Sequence, residues 1–67
     1  MNNAIVLHDQ NLEIPTAKKL LRDLRKEVRK AINQVPPAEI IVVDGQKVIV
    51  SYAKYLIEYL AGQLEKH

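Results

Sequence analysis

"EIIVVDGQKVIVSYAKYLIEYL", residues 39–60, decides the fold of this chain. Asp44-Gly45 stands between two β-branched runs. A two-residue type I′ turn needs positive φ at both central positions, and Asp-Gly supplies it, so the pattern predicts a β-hairpin. In that register Val43 faces Gln46, Ile41 faces Val48 and Ile40 faces Ile49. Both faces of the hairpin are then largely apolar. One face takes a helix, and the other needs a second helix or a partner chain. Ser51 is an expected N-cap for a helix that starts at Tyr52. Tyr52, Ala53, Leu56, Ile57, Leu60 and Leu64 give that helix a wide apolar face. Tyr52, Tyr55 and Tyr59 edge it at i, i+3, i+7 spacing, which reads as a packing or dimer edge. Lys54, Glu58 and Glu65 share one polar side.

Upstream, "AIVL" (4–7) reads as a short strand, "HDQN" (8–11) as a polar turn and "LEI" (12–14) as a possible return strand. Pro15 and Thr16 open a helix, with Thr16 as the expected cap. The helix runs to about Asn33, where "VPP" stops it, because a residue before proline avoids the helical region. Ala17, Leu20, Leu21, Leu24, Val28, Ala31 and Ile32 form its apolar face. The order is β(β)-α-β-β-α, an α+β class chain forming one two-layer domain over residues 1–67, with no internal repeat and no low-complexity segment.

A chain of 67 residues, 48% of them apolar and none of them cysteine, has little to hold it together alone. The expectation is a homodimer or larger, in which a partner completes the sheet and the last helix. Its interface residues are Tyr52, Tyr55, Leu56, Tyr59, Leu60 and Leu64. The lack of cysteine suits the cytoplasm. "MNNAIVLHDQ" does not read as a signal peptide, and no run reaches the length of a membrane span.

The net charge of +2 is mild, but its placement is not. Seven of the ten Lys and Arg fall in "AKKLLRDLRKEVRKAI", residues 17–32: Lys18, Lys19, Arg22, Arg25, Lys26, Arg29 and Lys30. Asp23 and Glu27 lie on one flank, where Lys19, Lys26 and Lys30 are at i±3 or i±4 spacing for pairing. Lys18, Arg22, Arg25 and Arg29 remain as a stripe on the other flank, with no acidic residue of the helix to oppose them. Stacked guanidinium and ammonium groups suit phosphates, so duplex DNA is the expected partner. An acidic protein fits the charge equally well, and a solvated helix face is the bland alternative. The aromatic residues do not make a single-strand binding platform, since all three tyrosines sit on the last helix. Chemistry finds little support: His8-Asp9 is a pair within a turn, there is no metal-ligand spacing, and no glycine-rich phosphate loop occurs. The reading is therefore a non-enzyme without cofactor or metal.

Residues 12–64 resemble the prevent-host-death (Phd/YefM) antitoxin family. "LEIPTAKKLLRDLRKEV" is similar to that family's opening strand and basic helix, and "AEIIVVDGQKVIVSYAKYL" to its hairpin and following helix. The resemblance implies a small dimer that binds operator DNA through Lys18, Lys19, Arg22 and Arg25 and meets a toxin through the last helix, with Tyr55 and Tyr59; the charge stripe adds Arg29 to the expected DNA-binding residues. "VLHDQNLEIPTAKKLLRDL" and "IIVVDGQKVIVSYAKYLIEYL" also resemble parts of a STAS-type domain. That alternative implies a protein-interaction module without nucleic acid.

Overall fold

The computed structural model describes residues 4–66. The order is β1 (Ala4–Leu7), β2 (Gln10–Glu13), α1 (Ile14–Asn33), β3 (Ile40–Val43), β4 (Gln46–Ile49) and α2 (Val50–Glu65). The strands form two separate antiparallel hairpins, β1-β2 and β3-β4. The expected register of the second hairpin holds: Ile40 pairs Ile49, Ile41 pairs Val48, and Val43 pairs Gln46. Its turn has φ +54° at Asp44 and +75° at Gly45, as a type I′ turn demands.

The first hairpin has the same construction. Its turn is His8-Asp9 alone, at φ +51° and +63°, so Gln10 and Asn11 belong to β2 and Ile14 to α1. Neither turn residue is glycine, but His and Asp tolerate the left-handed region better than most side chains.

Neither expected side-chain cap is used. Glu13 holds the cap position of α1 in extended backbone, with Pro15 in the first turn, where a missing N–H costs nothing. Thr16 is already inside the helix. Ile49 caps α2, and the N–H of Val50 donates to the Glu39 carbonyl at 2.8 Å. Ser51 is therefore helical as well. Each strand runs straight into its helix, leaving no loop for a capping side chain.

The two helices pack on each other, and both hairpins pack on the helix pair: β2 and β3 against α1, β4 against α2, and β1 against both. The core is Ile5, Ile41 and Val43 from the strands, Ala17, Leu21, Leu24, Val28 and Ala31 from α1, and Ala53, Leu56 and Leu60 from α2. Ile32, expected on the apolar face, is instead 49% exposed beyond the core's end.

A shift of 36 residues carries β1-β2-α1 onto β3-β4-α2 with every strand and turn in register. Under that shift Ile5/Ile41, Val6/Val42, Gln10/Gln46, Ala17/Ala53, Lys18/Lys54, Leu20/Leu56 and Leu24/Leu60 are identical. Ile5 and Ile41, Ala17 and Ala53, and Leu24 and Leu60 are buried in both halves. The chain is thus two ββα units, a repeat not expected from the sequence. Each unit supplies much of the partner surface that the other lacks, so part of the burial expected from a dimer occurs within one chain.

Candidate polyanion-binding face on the first helix

The 20 residues of α1 separate cleanly by environment. Burial of Ala17, Leu21, Leu24, Val28 and Ala31 fixes the helix's rotation on its neighbours. Lys18, Arg22, Arg25 and Arg29 are then all exposed together on one side. They line a shallow groove of about 480 Å³ with Lys26, Lys30, Leu21 and Asn33. No acidic residue lines it.

Lys26 and Lys30 are the members that the spacing argument missed. Their spacing from Asp23 and Glu27 points instead to pairing on the acidic flank. Among the described residues the one ion pair is Lys30–Glu27, at 3.8 Å. Both partners are substantially solvated, and such a surface pair holds its members weakly. Lys26 and Lys30 lie four residues beyond Arg22 and Lys26 respectively, so their long stems reach the groove wall from its edge. Lys19 goes the other way. It lines a second cleft with Asp23 and stands apart from the stripe with which it was grouped.

This second cleft, about 790 Å³, runs between the two hairpins over the first half of α1. Leu7, Leu12, Leu20, Val48 and Leu56 contribute to its apolar lining, and Asp23, Asp44, Lys19 and Lys47 carry mixed charge around it.

The proposed interface residues of α2 divide in two. Leu56 and Leu60 are spent in the chain's own core, 6% and 0% exposed, and are not available to a partner. Leu64 and Tyr59 are half-buried, and Tyr52 and Tyr55 are exposed. The tyrosines form a ladder, with ring centroids 6.0 Å apart for Tyr52–Tyr55 and 6.5 Å for Tyr55–Tyr59. Two of their hydroxyls bind the first hairpin. Tyr59 donates to the Val6 carbonyl at 2.5 Å, and the Tyr52 hydroxyl hydrogen-bonds the His8 ring. The stripe therefore fastens α2 to the first unit.

His8 is engaged with Tyr52, at 5.6 Å between rings. Among the described residues no group of three or more His, Asp or Glu side chains is placed to hold a metal ion, and no helix is long and apolar enough to cross a membrane.

Neither a family model, nor a curated protein, nor a solved structure matches this chain.

Proposed function

We propose that this protein binds duplex DNA through the exposed basic face of α1. The observation that carries the reading is the groove itself: six cations line it and no carboxylate does, Glu27 reaching only Lys30 in a weak surface pair. Desolvating six like charges against one another is unfavourable, and a row of phosphates offsets that cost by releasing its own counterions. The span from Lys18 to Lys30 is about 18 Å along the helix axis at about 1.5 Å per residue. That exceeds the roughly 12 Å width of a DNA major groove, so side chains at both ends can reach opposite phosphate walls. Lys18, Arg22, Arg25 and Arg29 supply the phosphate contacts, and the arginine forks can also read guanine edges. The narrower form of this reading, an operator-binding regulator of the antitoxin type, draws on the resemblance over residues 12–64.

The alternative partner is an acidic protein surface, which the same groove would attract. A STAS-type interaction module is less well supported. It implies parallel strands, whereas both hairpins here are antiparallel.

The test is duplex-DNA binding at low salt by the wild type, Arg25→Glu and the opposite-flank control Asp23→Asn. The reading expects binding by the wild type, marked loss in Arg25→Glu and unchanged or slightly stronger binding in Asp23→Asn. No affinity of the wild type at about 50 mM salt, where phosphate contacts are strongest, would end it.

A further inference from the structure

The two ββα units match inside and differ outside. Arg22, Arg25 and Arg29 of α1 correspond to Glu58, Ala61 and Glu65 of α2, so the basic face belongs to the first unit alone. A second difference bears on the cleft between the hairpins. Equivalent apolar residues of both units line it, Leu7 with Val43, Leu12 with Val48 and Leu20 with Leu56, so it lies where the units meet. The polar residues around it break the correspondence. Tyr52, Tyr55 and Tyr59 of α2 take the places of Thr16, Lys19 and Asp23 of α1, and His8 of the first turn takes the place of Asp44 of the second. On the α2 side, stacked phenol rings reach the first hairpin, with Tyr59 bonded to Val6 and Tyr52 to His8. On the α1 side, Thr16, Lys19, Asp23 and Asp44 all line the cleft. Among the described residues none of these four has a side-chain hydrogen-bond or ion-pair partner. An open space thus stands on the α1 side where phenols fasten the chain on the α2 side. Its volume of about 790 Å³ suits a small molecule, whose sites commonly measure about 300–1,000 Å³.

We infer that this cleft binds a free phenolic amino acid, of which L-tyrosine is the simplest case. The ring lies against the half-buried Leu7, Leu12, Leu20 and Val48. The hydroxyl donates to the Asp44 carboxylate, the counterpart of the bond between Tyr52 and His8. The ammonium group meets Asp23 and the carboxylate meets Lys19. These two residues stand four apart on one ridge of α1, so together they present opposite charges to a zwitterion. Charge also separates this site from the basic face. Asp23 and Asp44 balance Lys19 and Lys47 here, whereas six cations stand unbalanced on the other lining, so a polyanion is drawn there instead. The inference does not rest on the DNA reading, because Lys18, Arg22, Arg25 and Arg29 take no part in the cleft.

The experiment follows the backbone amide NMR shifts of the isotopically labelled full chain, without DNA, as L-tyrosine is added to millimolar concentration. Saturable shifts are expected around Lys19, Asp23, Asp44 and Val48. L-phenylalanine, without the hydroxyl, and tyramine, without the carboxylate, should each bind at least about tenfold more weakly, the scale of one hydrogen bond to a charged group. Asp44→Asn, which the left-handed turn also tolerates, should weaken L-tyrosine at least about tenfold and leave L-phenylalanine unchanged. Lys19→Tyr/Asp23→Tyr copies the ladder residues of α2, so it should keep the wild-type circular dichroism and lose the site. The absence of saturable shifts in the wild type overturns the inference, as does equal affinity for L-tyrosine and L-phenylalanine. Shifts at these residues that follow protein concentration without ligand would place a second copy in the cleft and overturn it too.

Discussion

Gly45 lies at φ +75° with nothing near the place a Cβ would occupy, so its requirement is one of backbone conformation and not of space. Gly45→Val should cost at least about 1–2 kcal/mol, the strain of an L side chain in that region, and more for a β-branched one. Gln46→Val, one residue on in ordinary strand backbone, should cost far less. Denaturant unfolding of the two variants checks this, and equal midpoints would contradict the hairpin. At Tyr59 the hydroxyl is the donor to Val6, so Tyr59→Phe should cost about 1 kcal/mol in the same measurement, the net worth of one hydrogen bond. The second turn was legible because Asp-Gly has one dominant use between β-branched runs. The first was blurred because His8-Asp9 reaches the same geometry without glycine. Thr16 and Ser51 misled for a shared reason: capping chemistry was read from residue type, while the strand-to-helix junctions place Glu13 and Ile49 at the caps.

The helices were legible from their period, since apolar residues at helical spacing leave few alternatives. Leu24, 1% exposed at the centre of α1, should cost about 2–5 kcal/mol when cut to alanine, through lost burial and an incompletely closed cavity. Arg25→Ala, on the exposed side of the same helix, should stay within about 0.5 kcal/mol of the wild type. That contrast separates folding from binding on a single element. Leu60 has no exposed surface, so Leu60→Glu should unfold the chain instead of leaving a folded monomer, because a stranded buried charge costs several kcal/mol, about 3–5. Loss of helical circular dichroism together with loss of assembly is the expected result. The repeat escaped the sequence reading because most of its shared positions are common apolar residues, while Arg22/Glu58 and Arg29/Glu65 reverse charge. Lys26 and Lys30 escaped it because a helical wheel assigns angles to Cα positions, and long side chains reach across them.

The molecule is thin and long, 46 × 21 × 16 Å, and its surface carries distinct faces on one small core. A basic face lies on the first unit, an apolar face on the second, and the tyrosine ladder ties α2 back to the first hairpin. The α+β order could be read from the sequence, but the division of surface between units could not, because it depends on which side of each hairpin meets the helices. The central claim is that Lys18, Arg22, Arg25 and Arg29 meet phosphates, and the salt dependence of duplex binding tests it most directly. At about −0.9 per phosphate, log K against log salt should have a slope of about −3.5 for one chain and about −7 for a dimer engaging both stripes, and Arg25→Ala should flatten the dimer's slope by about two. A slope that is near zero, or one that Arg25→Ala leaves unchanged, would contradict the account.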